Sequence, residues 1–230
     1  MIPIDNLAAY DPADPIQRLY DSAMARSQDG QFDNLPKRAR FYARHQVARA
    51  AIRRAPALDI AECGCWHGHS TLMFADLCQE LGFSGRFSVF DSFEGLSDFQ
   101  PADHLGLSMD EAETEMLKAH FVSDQAKLAA LTAPYGFIDL YAGWIPSRFA
   151  EVADRRYTFV HIDVDLYEPT RDALAFFYPR LAEGGAIFFD DYGYKNFPGA
   201  QAAVDEVLAA QPKPPALFMH LPVGAAFLVK

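Results

Sequence analysis

Phe159-Val-His-Ile-Asp163-Val-Asp165-Leu-Tyr167 and, downstream, Ile187-Phe-Phe-Asp190-Asp191-Tyr-Gly193 are apolar runs that lead into carboxylates. Continuous apolar stretches of this kind read as neighbouring buried strands, and their acids then reach one rim of a sheet. Side chains two apart on a strand share a face, so Asp163 and Asp165 are expected to point the same way. With Asp190 and Asp191 they bring four carboxylates together, whose mutual repulsion makes the bare cluster costly. A divalent cation removes that cost, and an all-oxygen donor set suits Mg²⁺, Ca²⁺ or Mn²⁺. The competing use of such acids is helix capping at strand-to-helix turns, which does not require four at one rim.

Outward from this pair, strand and helix alternate. Strands are expected over 58–62, 86–90, 137–141, 157–163 and 186–189, and helices over 35–54, 71–81, 169–181 and 200–210. Such alternation implies right-handed βαβ units and an α/β fold with a mainly parallel sheet and helices on both faces. The end of the chain differs. Apolar runs over 216–220 and 225–229, joined by Leu221-Pro-Val-Gly224, predict an antiparallel hairpin that closes a seven-stranded sheet. Residues 1–55 read as an N-terminal helical arm and 56–230 as the main domain. Between 97 and 125 the strand pattern lapses, and Ser108-Met-Asp-Glu111 reads as a capping box. Met109, Ala112, Met116 and Ala119 follow at helical spacing. An insertion of that length reads either as a lid over a substrate or as a surface helix.

The composition narrows the function classes. The chain has 230 residues, half of them hydrophobic, and a net charge of −11. That charge argues against nucleic acid and against anionic membranes as partners, since both need a basic surface. No apolar run reaches the roughly 18–20 residues that span a bilayer, and Met1-Ile-Pro-Ile-Asp-Asn6 lacks the basic start of a signal peptide. Three cysteines make a poor disulfide framework. A cytoplasmic location is expected, and a homo-oligomer is left open.

A glycine loop follows the first expected strand. Glu62-x-Gly64-x-x-x-Gly68 allows a tight turn and close approach of backbone to a ligand over the strand end. The second expected strand leads into Asp91, placed to accept both ribose hydroxyls of a nucleoside cofactor. A pyrophosphate prefers a third glycine. Here Trp66 and His67 fill the loop, which favours S-adenosylmethionine over a dinucleotide. Cys63, Cys65, His67 and His69 alternate as a zinc site might, yet zinc cysteines are usually spaced more widely. Core packing accounts for the cysteines, His67 is a candidate for the site wall, and His161 reads as a satisfied core histidine.

These blocks together resemble the macrocin O-methyltransferase family, Mg²⁺- and S-adenosylmethionine-dependent enzymes that methylate sugar hydroxyls in antibiotic pathways. The resemblance runs from about Ile60 to Val204 and rests on five blocks. They are Glu-Cys-Gly-Cys-Trp-His-Gly at 62–68, Asp-Ser-Phe-Glu-Gly-Leu at 91–96, Gly143-Trp144, His-Ile-Asp-Val-Asp-Leu-Tyr-Glu-Pro-Thr at 161–170, and Asp-Asp-Tyr-Gly at 190–193. It implies a Rossmann-like class I methyltransferase fold, with Glu62, Gly64, Trp66, Gly68, Asp91, Ser92, Gly143 and Trp144 at the cofactor. It also implies a metal on Asp163, Asp190 and Asp191, with Asp165 as general base. Tyr167, Tyr192 and Tyr194 are candidates for the acceptor pocket, and the expected partner is a small-molecule hydroxyl acceptor. Two other readings remain: a catechol-type O-methyltransferase, and a non-catalytic domain that binds nucleoside and metal.

Overall fold

The computed structural model describes residues 15–230, so the start of the expected N-terminal arm lies outside the described residues. The strands are β1 (Asp59–Cys63), β2 (Phe87–Asp91), β3 (Ile138–Ala142), β4 (Tyr157–Ile162), β5 (Leu181–Phe189), β6 (Leu217–Leu221) and β7 (Ala225–Val229). They form one sheet in the order β3-β2-β1-β4-β5-β7-β6. The first five run parallel, and β7 lies antiparallel between β5 and β6 as the expected hairpin. Strand order reverses between β1 and β4, which opens a crevice beyond their carboxyl ends. Gly64 and Asp163 are the first residues past those two ends.

The helices are α1 (Pro15–Ser27), α2 (Leu35–Arg54), α3 (His69–Glu80), α4 (Glu111–His120), α5 (Gln125–Thr132), α6 (Tyr167–Arg180) and α7 (Pro198–Ala209). Period-two alternation assigns the sheet's two faces. Ile60, Phe159 and Phe188 pack with Ile52 of α2 and with Leu72 and Phe74 of α3. Ala61, Val160 and Ile187 pack on the other side with Leu174 and Phe177 of α6 and Val204 of α7. Each fully buried aromatic or aliphatic side chain in these layers contributes about 1.5–3 kcal/mol of burial. Glu62 and His161 are register partners on β1 and β4. Alternation therefore turns both of them toward α3, inside the core.

α2 starts where the Asn34 side chain accepts from the Lys37 amide at 2.8 Å, and its Ala48, Ala51 and Ile52 are buried. Thr158 on β4 donates its hydroxyl to the Ala51 carbonyl at 2.9 Å, tying this helix to the sheet. Among the described residues, no helix is long and apolar enough to cross a membrane.

Three local expectations are corrected. First, β4 ends at Ile162, so Asp163 and Asp165 sit in the turn beyond it and strand alternation does not orient them. Second, the capping box before α4 is formed by Asp110 and Glu113, not by Ser108 and Glu111, since the carboxylate of Asp110 reaches the Glu113 amide at 2.9 Å. Third, the helix read from Met109 onward begins at Glu111, and Met116 of its apolar stripe is 67% exposed. Leu117 and Phe121, one position further on and a turn apart, pack against Leu96, Leu166 and Phe197 instead.

Candidate active site

The turns after β1, β2, β4 and β5 surround a cavity of about 590 Å³, lined by Gly64, Asp91, all four acids of the quoted stretches, and residues of α2. That volume falls within the usual range for small-molecule sites. Asp165, Asp190 and Asp191 are all buried, and Asp191 Oδ2 accepts from the Asp165 amide at 3.3 Å. Asp165 itself has φ +61°. A non-glycine residue there costs about 1–2 kcal/mol, a strain that surrounding contacts must hold and that gathers at functional sites.

The four carboxylates are not alike. Burial, then repulsion from neighbouring acids, pushes Asp163, Asp165 and Asp191 well above the usual carboxylate range. Burial also opposes the charge on Asp190, but Arg44, Arg40 and His161 outweigh it and hold that group below the range. Arg44 Nη1 lies 2.9 Å from Asp190 Oδ1 and Arg40 Nε 3.0 Å from Oδ2. Arg44 also stands 4.0 Å from Asp163 Oδ2.

His161 is fully buried. Its Nδ1 lies 3.1 Å from Glu62 Oε1, while Nε2 has no hydrogen bond and faces Asp190 at 3.5 Å and Asp163 at 3.8 Å. Burial works against its charge, yet Asp190 and Glu62 push its pKa up to about 9. A histidine first read as a satisfied core residue is thus only half satisfied.

The donor set fits a divalent cation. His161, Asp163 and Asp190 can each bring a ligand atom within 4.8 Å of the others. Four carboxylates against two guanidiniums and a His161 shifted toward its charged form leave acid in excess, and three of the acids respond by shifting toward the neutral form.

At the other side of the crevice, Asp91 Oδ2 accepts from the amides of Cys65 at 2.8 Å and Trp66 at 3.0 Å. Its Oδ1 accepts from Phe93 N at 2.7 Å. The Cys65 thiol also donates to Oδ2, at 3.3 Å. A carboxylate has about four acceptor sites, so these four contacts fill it, and a ribose hydroxyl would have to displace the weak thiol contact. The glycines also serve the chain more than a ligand. A Cβ at Gly64 would lie 1.8 Å from the Asp163 carbonyl, and one at Gly68 would lie 2.4 Å from Leu128. The close approach they allow is of chain to chain.

Of the residues expected at the cofactor, Gly64, Trp66, Asp91, Ser92 and Trp144 line the cavity. Glu62 does not: it is buried, with the Thr71 hydroxyl 2.5 Å from its Oε2. Gly68 caps α3 with φ +86°, and the Gly143 amide donates to the Asp91 carbonyl at 2.9 Å. Of the tyrosines, Tyr194 lines the cavity, whereas Tyr167 donates to Glu206 and Tyr192 to Asp205. The cysteine–histidine alternation disperses. Cys63 and Cys65 join the packing on opposite faces of the sheet, His67 Nδ1 meets Asp29 Oδ1 at 2.6 Å, and His69 stacks on Phe41.

Arg40, Arg44 and Lys37 were not singled out from the sequence, although all three line the cavity. Their spacing placed them along one face of an expected helix. Nothing in the spacing showed that this face meets acids far along the chain.

The sequence model of the family described as macrocin-O-methyltransferase (TylF) matches residues 36–214. A tetracenomycin 4'-O-methyltransferase of Streptomyces olivaceus, acting on 8-demethyl-8-(2,3-dimethoxy-alpha-L-rhamnosyl)-tetracenomycin C, is 30% identical over 58% of this chain and 52% of its own. Demethyldecarbamoylnovobiocin O-methyltransferase of Streptomyces niveus is 25% identical over 66% of this chain and 58% of its own. The chain thus spans just over half the length of these two relatives.

Among solved structures, the O-methyltransferase NovP superposes with a TM-score of 0.67 at 20% identity, covering 81% of this chain and 77% of its own. An O-methyltransferase from Bacillus cereus in complex with SAH gives 0.53 at 15% identity, covering 96% and 94%. At these identities the likeness shows the fold, which is that of the S-adenosylmethionine-dependent class I methyltransferases. With most of its length inside the family's own match, the chain belongs to the macrocin O-methyltransferase family.

Proposed function

We propose that the protein is an S-adenosylmethionine- and Mg²⁺-dependent O-methyltransferase acting on a sugar hydroxyl of a glycosylated natural product. The observation that carries this reading is one cavity lined both by Asp91, at the end of β2, and by a rim of four carboxylates beyond β4 and β5. The rhamnosyl group in the name of the tetracenomycin relative's acceptor supplies the sugar class. α1 and α2 would form an arm that supplies one wall through α2, and 97–125 a lid that selects the acceptor.

When bound, S-adenosylmethionine supplies a methyl group on a sulfonium leaving group. A divalent cation would be held by Asp163, Asp190 and Asp191, with His161 Nε2 within reach, and supplies Lewis acidity to a hydroxyl that is otherwise a poor nucleophile. The chain's own part is chiefly to position and to move one proton. Asp91 fixes the shape of the glycine loop through the amides of Cys65 and Trp66, and a ribose hydroxyl would take the place of its weak Cys65 thiol contact. Asp165 lines the cavity beside the other acids of the rim and is the group placed to take the hydroxyl proton. Alignment of hydroxyl and methyl carbon carries much of the remaining rate.

The test is transfer of a labelled methyl group from S-adenosylmethionine to a panel of deoxysugar glycosides and catechols, with product analysis. Methylated glycosides are expected. Methylation of catechols alone would contradict the sugar assignment.

A further inference from the structure

Lys37, Arg40 and Arg44 project from one face of α2 into the cavity, but they are not equally occupied. Arg40 and Arg44 are both spent on Asp190. Lys37, one turn nearer the start of the helix, has no hydrogen bond from its ammonium group among the described residues. Its nearest carboxylate oxygen in ion-pair range is Asp29 Oδ2, at 3.9 Å. Its side chain is only 16% exposed, and Nζ lies 5.7 Å from the centre of the Trp66 ring in the glycine loop. Asp29 thus gives the ammonium a counter-charge but no hydrogen bond, and its three donors, walled in beside a ligand cavity, are left for an acceptor on a ligand.

A second feature meets it there. α3 starts at His69 with no side-chain capping bond, and His69 and Ser70 line the same cavity. The free amides of a helix's first turn favour an anion. The surroundings carry positive potential as well. Burial, then the charges of Arg44 and Lys37, hold His69 neutral with its pKa lowered to about 2.

We propose that Lys37 and the first turn of α3 together seat the α-carboxylate of S-adenosylmethionine, an inference that rests on the cofactor reading above. With adenosine on the β2 side at Asp91 and the methyl group turned to the acids beyond β4 and β5, the amino-acid tail is the part left to face α2 and α3. That tail carries the only carboxylate of the cofactor.

Calorimetry separates this from the alternatives. Wild-type protein and Lys37→Met, which keeps most of the aliphatic stem, are titrated with S-adenosylhomocysteine and with 5′-methylthioadenosine, which lacks the amino-acid tail. Loss of a charge-assisted contact is expected to weaken homocysteine-compound binding about tenfold or more, leave methylthioadenosine within twofold, and be partly reversed in Lys37→Arg. Unchanged affinity for S-adenosylhomocysteine in Lys37→Met would overturn the proposal, as would equal losses for both compounds, which would mark a general disturbance of the cavity. If the wild type binds neither compound, the cofactor reading falls and takes this inference with it.

Discussion

At the scale of single residues, Asp165, the proposed general base, also holds a positive φ. Its left-handed conformation is one that asparagine tolerates and glycine prefers. Asp165→Asn is therefore expected to fold and to bind cofactor like the wild type, while kcat falls by about two orders of magnitude or more for want of a proton acceptor. Asp165→Gly is expected to lose the same activity while gaining up to about 1 kcal/mol of stability from relieved strain. Denaturant melts and steady-state rates on both variants check this, and near-normal turnover in Asp165→Asn would remove the residue from its role. The acids themselves were legible in the sequence because each follows an apolar run. The conformation of Asp165 was not, because β4 stops at Ile162 and the turn beyond it has no glycine to announce a positive φ.

At the scale of elements, α2 ties the helical layer to the rim. Arg44 is 4% exposed and Asp190 is 6% exposed, so their ion pair is buried. Breaking such a pair from one side strands a buried charge and costs about 3–5 kcal/mol. Arg44→Met is expected to melt well below the wild type, and added Mg²⁺ is expected to raise its melting temperature more than the wild type's, since a cation can take over part of the guanidinium's task. Thermal melts with and without Mg²⁺ measure both effects, and a wild-type melting temperature for Arg44→Met in chelator would contradict the pairing. The helix was read from sequence over the range it occupies, but its partner was out of reach. Arg44 and Asp190 are separated by 146 positions, and periodicity reports only local geometry. The same limit explains α4, whose apolar stripe was visible while its docking residues, Leu117 and Phe121, depended on what lay beneath.

At the scale of the whole molecule, strand order decides where everything meets. The reversal between β1 and β4 opens the crevice. Turns after four parallel strands supply its floor, and α2 supplies the wall that offsets part of its charge. Trp66, Phe93 and Asp165, three of the non-glycine residues with positive φ, all stand in those turns. Strain is thus gathered where ligands would bind rather than spread through the core. The alternation of apolar runs was enough to read the parallel sheet and its closing hairpin, since each strand announces itself within a few residues. The charge balance of the rim needed the folded chain. The central claim is that this rim works by holding a divalent cation for methyl transfer. It is tested most directly by following transfer of a labelled methyl group from S-adenosylmethionine to a glycoside acceptor in excess chelator, then after Mg²⁺ is restored. The account expects transfer to vanish in chelator, with S-adenosylhomocysteine binding kept, and to return with Mg²⁺; full turnover in excess chelator would contradict it.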